Sequence, residues 1–412
     1  MKNCYKMLYA LLYDGKSIRK RFAAVLSSKI RKDRHAGLIN KHVENHRYAS
    51  AVEYIEKNRI QRDDRYKRLY AYCLQAEGRE EASGIMLECL ESEYNVDAGE
   101  MTAFLADRIN VGKSLIEYRY LGGLGNLGNF LVKNEAGSFA YIVKILDRTK
   151  KNNEVFFYRE IAARHAEIAE HIPFCRGIYE YGDKLRFLCM EYIDPRPVDS
   201  ACDSSAVKFV EKLGSISRSE CLGLFSESRV RLYAGNAEVS RLHRCIPIKM
   251  IVEKELLILE NTPDSALLSA QIRETGNRIA DGKLYRKVVP SIHYTFCHND
   301  FHRKNLFKAG SDGIKAFDWN NFRTGIYGWD LIYYWGNFES PFSEIKRLFI
   351  DPQRAKYSSR SSMSVWNLFF DFCLIYVWIC RLHGKSCAEY MDDFFMPAVE
   401  DIRELISALD KA

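Results

Sequence analysis

The sequence has few of the features that mark secreted or membrane-spanning proteins. Its 12 cysteines are scattered singly, C-x-x-C pairs are missing, and the N-terminus lacks a secretory apolar segment with a small-residue cleavage site. These absences predict a cytoplasmic protein with reduced thiols, in which most cysteines act as small apolar residues. The longest apolar run, Val365 to Cys380, has only 16 residues and contains Asn367 and Asp371. It is short for a membrane span, so we expect a buried helix there.

Prolines are also scarce, with nine in 412 residues, and strong turn signals rarely interrupt residues 1–110. This pattern predicts helices over almost all of that segment. The stretch from Arg68 to Leu87, with Gly78 between two apolar runs, resembles one hairpin of a tetratricopeptide-type repeat. A single copy favours a generic helical hairpin. From about residue 115 the pattern changes to strands and one helix: strands at 115–120, 130–132, 140–145 and 185–193, and a helix at 154–170.

The order of these segments predicts an α+β fold with three parts, and 412 residues are enough for two or three domains. We expect an all-α N-terminal extension over residues 1–110 and a small β-rich lobe over residues 111–194. A helical lobe should follow over residues 195–412, with a hinge near Asp194-Pro195-Arg196-Pro197.

Positive charge is concentrated at the N-terminus. Residues 1–50 hold 12 Lys/Arg and 3 Asp/Glu, a net charge of +9, whereas the whole chain is +7. One interpretation is a helix face exposed to water. The other is peripheral contact with an anionic membrane surface, at the inner face of a membrane, or with an acidic glycan. No nucleic-acid-binding module is recognisable, and we expect no nucleic-acid partner.

The most informative stretch is residues 297–305, Cys-His-Asn-Asp-Phe-His-Arg-Lys-Asn, followed thirteen residues later by Asp318. The pattern H-x-D-x-x-x-x-N and then a separate Asp supplies the groups that phosphoryl transfer needs. Asp300, with His298 beside it, would orient an attacking hydroxyl, and Asn305 and Asp318 would hold Mg²⁺ against the phosphates of ATP. Residues 306–308 and 314–317 predict a strand pair around an Asp-Gly turn that returns Asp318 towards Asp300 and Asn305. The alternative is a chance cluster on a loop.

Phosphate-binding candidates precede this motif. The turn at residues 121–129, Leu-Gly-Gly-Leu-Gly-Asn-Leu-Gly-Asn, lets backbone N–H groups approach phosphate oxygens, which makes Gly123, Gly125 and Asn126 candidate nucleotide-binding residues. Taken alone, a glycine-rich turn between two strands usually has no ligand-binding role. It fits neither the P-loop nor the dinucleotide-binding pattern.

Lys144 ends an apolar strand, Tyr-Ile-Val-Lys, and would hold the α- and β-phosphates. Taken by itself it would be an exposed strand lysine. A lysine in this role needs a fixed carboxylate, and Glu154 and Glu160 are the candidates. They lie six residues apart and so on different helix faces. Glu154 is favoured because Asn152 or Asn153 would cap the helix just before it, and Glu160 remains the alternative.

The strand at 185–193 would supply the adenine contacts. Glu191 and Ile193, at its end, would offer backbone N–H and C=O groups to the base. This role depends on backbone shape, and a buried central strand would have the same sequence.

Residues 297–305 resemble the catalytic loop of choline/ethanolamine kinases and the wider aminoglycoside phosphotransferase-like family. Further resemblance lies in Asp318-Trp319, in Trp329-Asp330-Leu331 and in residues 237–243, Ala-Glu-Val-Ser-Arg-Leu-His. The match spans about residues 115–340 and is most specific from 297 to 331. The resemblance implies a bilobal protein-kinase-like fold, Asp300 as catalytic base, Asn305 and Asp318 as Mg²⁺ ligands, and Asp330 as an acid that braces the loop.

The chain departs from this family at three points. Asn320 stands where choline kinases carry Glu, which speaks against choline as the substrate. The glycine-rich turn is longer and richer in Asn than usual, and residues 1–110 have no counterpart.

Two features bear on the class of kinase. Only 11 residues separate Asp318 from Asp330 and no A-P-E sequence follows, so a protein kinase's peptide platform has no room. We therefore expect an ATP- and Mg²⁺-dependent kinase acting on a hydroxyl of an amino alcohol, a sugar or a lipid-linked sugar. Residues 200–290 and 336–400 would contact this acceptor. The alternative is an inactive pseudokinase that serves as a nucleotide-binding scaffold.

Overall fold

The computed structural model describes residues 34–61, 63–122, 126–150, 152–216, 246–280, 294–336, 340–356, 361–382 and 385–411. Most of the basic N-terminal segment, Gly123, Gly125 and residues 237–243 lie outside these ranges. The chain divides into two compact units. The first ends at Val155 and includes Pro173–Tyr192, and the second comprises Phe156–Ile172 and the chain from Ile193 onward.

The first unit begins with helices where the sequence predicts them. The hairpin around Gly78 is confirmed, because two helices meet there and Gly78 takes a left-handed φ of +73°. Asp63 caps the first of the two, since its side chain accepts a hydrogen bond from the backbone N–H of Arg65. The helices are α1 (Arg34–Glu44), α2 (Tyr48–Lys57), α3 (Asp64–Ala76), α4 (Glu81–Tyr94) and α5 (Ala98–Ile109).

An antiparallel sheet follows in the same unit, with strand order β1-β2-β3-β5-β4 among the described residues. Strand β4 was not predicted: Gly177 interrupts its short apolar pattern, and the register of its pairing with β5 shifts between Cys175 and Gly177. The strands are β1 (Ile116–Arg119), β2 (Asn129–Lys133), β3 (Phe139–Asp147), β4 (Cys175–Tyr181) and β5 (Leu185–Glu191).

Helices α4 and α5 share a hydrophobic core with this sheet. Leu90 of α4 and Leu105 of α5 pack in one cluster with Phe130, Val143 and Phe187 of the strands. Side chains alternate between the two faces of a strand. Because Val143 of β3 faces the shared core, its neighbour Lys144 lies on the opposite face of the sheet. The helical extension and the sheet are therefore one structural unit, whereas the predicted division at residue 110 separates them. That three-part division stays a prediction.

The predicted helix at 154–170 is shorter than expected. Helix α6 (Asn153–Phe156) continues as a π-helical turn (Phe157–Ala162), and a separate 3-10 turn covers Ala166–His171. His165 breaks the helix, with a φ of −117° and a ψ of 79°. From Phe156 onward this segment belongs to the second unit.

The second unit is mainly helical, with two small strand pairs. The pair β7–β8 is the predicted hairpin before Asp318, whereas the pair β6–β9 was not predicted. Its elements are α7 (Asp203–Ser215), α8 (Ile246–Leu259), α9 (Ala266–Ala280), β6 (Tyr294–Cys297), β7 (Leu306–Ala309), β8 (Gly313–Ala316), β9 (Arg323–Ile326), α10 (Trp329–Trp335), α11 (Phe342–Ile345), a π-helical turn (Lys346–Ile350), α12 (Asp351–Lys356), α13 (Ser361–Arg381), a π-helical turn (Met391–Phe395) and α14 (Met396–Lys411).

A buried carboxylate joins α7 to α10 in this unit. Asp203 accepts hydrogen bonds from Tyr334 Oη at 2.9 Å, Trp335 Nε1 at 3.2 Å and Ser340 Oγ at 2.8 Å. These three donors compensate the desolvation of the carboxylate and fix the position of α10.

The apolar run at 365–380 lies in α13, as predicted, and Leu368, Phe370 and Phe372 are buried. Within the ranges that the structure describes, no helix is long and apolar enough to cross a membrane. The fold class is α+β, as predicted.

Candidate active site

The loop of residues 298–305 is held by a buried acid from α10. The backbone N–H groups of His298 and Asn299 donate to Asp330 Oδ2 and Oδ1, each at 2.8 Å, and Asp330 is 1% exposed. These bonds stabilise Asn299 in a left-handed conformation, with φ of +64°, and so set the turn that leads into Asp300. The bracing position of Asp330 implied by the family resemblance is confirmed.

His298, the first residue of this loop, is fully buried. Its Nε2 is 2.7 Å from the carbonyl oxygen of Phe317, and its Nδ1 accepts a hydrogen bond from the backbone N–H of Asp300 at 3.3 Å. Burial lowers the pKa of the imidazole below its ordinary value. Both ring nitrogens of a neutral His298 therefore bond to backbone, which is the geometry of a residue that positions Asp300.

Asp300 presents its carboxylate at the end of the loop, with the side chain 26% exposed. Asn321 Nδ2 donates to Asp300 Oδ2 at 3.2 Å, and His302 Nε2 lies 3.4 Å from Asp300 Oδ1. Neither partner was predicted. The sequence carries no signal for Asn321, because it approaches Asp300 only once the β7–β8 hairpin has formed.

The hairpin connects Asn305 to the segment that carries Asp318. Leu306 pairs with Ala316, and the N–H of Phe317 donates to the carbonyl oxygen of Asn305 at 2.9 Å. The Asn305 side chain donates through Nδ2 to the carbonyl oxygen of Asp300 at 3.0 Å, which directs its Oδ1 away from that bond. Asp300 and Asn305 are thus joined directly, as the spacing predicted.

Asp318 follows β8 in a left-handed conformation, with φ of +59°. Its Oδ1 accepts a hydrogen bond from Asn320 Nδ2 at 2.9 Å, so the residue that departs from the choline kinase pattern contacts the predicted metal ligand. In the described ranges, no group of three or more His, Cys, Asp or Glu side chains is arranged to hold a metal ion. One carboxylate and one amide oxygen nevertheless fit Mg²⁺, which keeps several waters and takes its remaining ligands from phosphates.

The predicted phosphate lysine is paired in the first unit. Lys144 Nζ lies 2.7 and 2.8 Å from the two carboxylate oxygens of Glu154, whose side chain is 1% exposed. Asn152 caps the helix through the N–H of Val155 at 3.0 Å, as expected. Glu160 instead pairs with Arg164 at 2.9 Å on the helix surface. The prediction that Glu154 is the partner of Lys144 is confirmed.

Asn126 closes the base of the glycine-rich turn. Its Nδ2 donates to the carbonyl oxygen of Gly122 at 3.1 Å, and its Oδ1 accepts from the N–H of Gly128 at 3.0 Å. The carbonyl oxygen of Gly128 accepts from the N–H of Ile145 at 3.2 Å, next to Lys144. The side chain of Asn126 thus shapes the turn.

Two of the three N–H groups at the end of β5 have backbone partners. Glu191 N–H donates to the carbonyl oxygen of Phe174 at 2.8 Å, and Tyr192 N–H donates to that of Ala140 at 3.0 Å. Among the described residues, no backbone acceptor lies within hydrogen-bond distance of the Ile193 N–H.

Comparisons with known proteins give the family. The family model described as "Phosphotransferase enzyme family" matches residues 119–359, more than half of the chain. The chain therefore belongs to that family, which confirms the predicted family and the predicted enzyme class, a phosphotransferase. No curated protein matches the chain.

Several solved structures resemble the chain at low identity. The ADP-bound aminoglycoside phosphotransferase APH(2'')-Ib is 18% identical, covering 76% of this chain and 99% of its own, with a TM-score of 0.38. APH(2'')-IIa in complex with gentamicin is 20% identical, covering 77% and 97%, with a TM-score of 0.39. An ethanolamine kinase of Plasmodium vivax is 13% identical, covering 79% and 93%, with a TM-score of 0.41. The family assignment rests on the family model.

Proposed function

We propose that this protein is an ATP- and Mg²⁺-dependent kinase that transfers the γ-phosphate of ATP to a hydroxyl of a small molecule or glycan. The observation that carries the proposal is the joined arrangement of Asp300 and Asn305, with Asp318 returned by the β7–β8 hairpin. In-line phosphoryl transfer in kinases uses one carboxylate to orient the attacking hydroxyl, and an amide oxygen and a second carboxylate to hold the metal ion.

Asp300 is proposed as the catalytic base. Its carboxylate accepts the proton of the acceptor hydroxyl as the new oxygen–phosphorus bond forms and the bond from the γ-phosphorus to the β-phosphate oxygen breaks, which releases ADP. Asn321 and His302 hold the orientation of the carboxylate. His298 is proposed as a positioning residue, since its Nδ1 fixes the backbone of Asp300.

Asn305 Oδ1 and Asp318 are proposed to hold Mg²⁺. When bound, the ion would neutralise the negative charge on the phosphate oxygens of ATP, including the charge that develops as ADP leaves. The bond from Asn305 Nδ2 to the Asp300 carbonyl oxygen, which directs Oδ1 away from that carbonyl, supports this role, and Asn320 would keep the Asp318 carboxylate in place.

Lys144 is proposed to bind the α- and β-phosphates, with Glu154 holding its ammonium group. Ile193 N–H and the backbone of Glu191 are proposed to bind adenine, and Gly123, Gly125 and Asn126 to form the turn beside the phosphates. The acceptor is proposed to be an amino alcohol, a sugar or a lipid-linked sugar, because the chain between Asp318 and Asp330 is too short for a peptide platform.

Two substitutions test the assignment because they should fail for different reasons. Asp300→Asn should abolish phosphate transfer to a panel of amino alcohols and sugars, yet retain Mg·ATP affinity within about twofold. Asp318→Ala should remove the Mg²⁺-dependent part of ATP binding, measured by isothermal titration with and without Mg²⁺. Asp312→Asn, an exposed acid in the hairpin turn, is the matched control.

The outcomes separate an active kinase from a scaffold. Equal loss of nucleotide affinity in both variants would contradict the assigned roles. Wild-type protein that binds Mg·ATP but transfers no phosphate to any acceptor or to water would indicate a pseudokinase instead.

A further inference from the structure

The glycine-rich turn begins inside the core of the helical extension. Tyr120, the residue just before the turn, is 3% exposed and packs in the hydrophobic cluster formed by helices α1–α4, with Leu69 and Tyr70 among its members. Its backbone N–H donates to Ser83 Oγ of α4 at 3.1 Å. The first anchor of the turn is therefore a side chain from the helical extension, 37 residues earlier in the sequence.

A second contact lies two residues further on, at Gly122. This residue has a left-handed φ of +92°, and a Cβ placed on it would be only 2.5 Å from Gln75 Oε1 at the end of α3. The side-chain amide of Gln75 therefore lies directly against the turn's backbone. The left-handed conformation favours glycine at this position, and a larger residue would displace the Gln75 amide.

The opposite end of the turn is fixed to the sheet. Tyr118 Oη donates to the carbonyl oxygen of Leu127 at 2.9 Å, and Asn126 connects Gly122 with Gly128. Gly128 then bonds to β3 beside Lys144. A continuous series of contacts runs from α3 and α4 through the base of the turn to the strand that carries the proposed phosphate lysine.

We infer that helices α3 and α4 position the described ends of the glycine-rich turn, residues 121–122 and 126–128, for binding of the nucleotide phosphates, with Ser83 and Gln75 as positioning residues. This inference rests on the proposed function. A glycine-rich turn has high conformational freedom, and ordering it costs free energy when phosphate binds. Anchors that order the base of the turn beforehand reduce that cost, and so strengthen phosphate binding without touching the phosphates.

The test compares a nucleotide, Mg·ATP, with a nucleoside, adenosine, as ligands of the full-length protein. Ser83→Ala removes the acceptor for the Tyr120 N–H, whereas Ser83→Thr keeps a hydroxyl at the same place. Loss of one such hydrogen bond should weaken Mg·ATP binding about threefold to tenfold in Ser83→Ala and leave Ser83→Thr close to wild type. Adenosine has no phosphates, so its affinity should not change. Ser92→Ala, an exposed serine on the same helix, is the control and should bind Mg·ATP as wild type does.

Gln75→Ala provides an independent variant on the neighbouring helix. It should also weaken Mg·ATP binding and spare adenosine, because it removes the amide that lies against Gly122. Affinities are measured by isothermal titration, and thermal unfolding is followed in parallel to detect general destabilisation.

Each remaining outcome has a defined meaning. If wild-type protein binds Mg·ATP but both alanine variants bind it equally well, the positioning role is overturned and the proposed function stands. If the variants lose adenosine and Mg·ATP affinity to the same extent, the effect is general destabilisation and the inference is again overturned. If wild-type protein binds no Mg·ATP, the proposed function itself fails.

Discussion

Lys144 and Glu154 form a buried ion pair in which both carboxylate oxygens lie within 2.8 Å of the ammonium nitrogen. The Lys144 side chain is 21% exposed and that of Glu154 is 1% exposed, so the ammonium group helps to compensate the charge of a buried carboxylate. The pair fixes a side chain of β3 that points away from the shared hydrophobic core.

Substitutions at this pair should separate Glu154 from Glu160. Glu154→Gln keeps a hydrogen-bond acceptor but removes the charge that holds Lys144, and we expect kcat/KM for ATP to fall about tenfold to a hundredfold. Lys144→Ala should have a larger effect, because it also removes the phosphate contact. Glu160→Gln should change kcat/KM less than about twofold, since its pair with Arg164 is on the surface.

Stability measurements supply the control for this prediction. Lys144→Ala leaves a buried carboxylate without its lysine, which should lower the free energy of unfolding by about 3–5 kcal/mol. Turnover that is lost in Glu160→Gln and retained in Glu154→Gln would show that the observed pair is not the catalytic one.

Local sequence was sufficient for much of the candidate site. Asp300 and Asn305 are five residues apart in one loop, and the Asp-Gly turn made the hairpin to Asp318 recognisable. The cap at Asn152 determined which face of α6 carries Glu154. In each case the deciding interaction spans only a few residues, which pattern and turn chemistry can represent.

Contacts between distant segments were not predictable in this way. Asn321 reaches Asp300 through the register of β7 and β8, and Ser83 reaches Tyr120 only because α4 packs beside β1. Strands β6 and β9 are separated by the loop of residues 298–305 and by the β7–β8 hairpin, so neither carries the signal of a hairpin. These contacts depend on tertiary packing, which overrides local propensity.

Asp330 should be required for the shape of the catalytic loop. Asp330→Asn replaces one acceptor oxygen by an NH₂ group that faces a backbone N–H, which leaves a buried donor without a partner. We expect the free energy of unfolding to fall by about 1–3 kcal/mol and turnover to fall more steeply than ATP affinity. Asp351→Asn, at an exposed acid of α12, should change neither quantity.

Chemical denaturation, isothermal titration with Mg·ATP and an assay of phosphate transfer on the same two variants measure stability, affinity and turnover. If Asp330→Asn keeps full turnover, the two 2.8 Å bonds to His298 and Asn299 are not needed to hold Asp300 in place.

The lowered pKa of His171 should make the stability of the folded protein depend on pH. Burial, together with the positive charge of Lys212, lowers the pKa of His171 from 6.5 to about 4. The unfolded chain therefore binds a proton more readily than the folded chain between these two values. The stability that the neutral imidazole contributes is present above pH 6.5 and should be lost progressively as the pH falls towards 4.

The variant His171→Gln isolates this contribution. Its free energy of unfolding should depend less on pH than that of wild-type protein between pH 6.5 and 4, when both are measured by urea denaturation. Parallel pH profiles for the two proteins would show that another group titrates in this range.

The basic segment at residues 1–50 leads to a prediction about membranes. Its net charge of +9 alternates with apolar groups such as Met7-Leu8-Tyr9 and Phe22-Ala23-Ala24, a composition suited to lying on an anionic bilayer. Such contact would bring the kinase to a lipid-linked sugar. Each well-placed Lys or Arg contributes about 1 kcal/mol near the surface. Replacing Arg19, Lys20 and Arg21 by serine should therefore weaken binding to phosphatidylserine-containing vesicles by about a hundredfold.

Co-sedimentation with vesicles provides the measurement. Full-length protein should bind anionic vesicles and not phosphatidylcholine vesicles, and added salt should weaken binding because exposed charges are screened. Deletion of residues 1–50 should abolish it. A triple serine variant at the exposed Lys57, Arg59 and Lys113, outside the segment, is the control and should bind as wild type does. Binding that persists after the deletion, or none at physiological salt, would mean that these charges face water, and a soluble sugar or amino alcohol would then be the acceptor to test first.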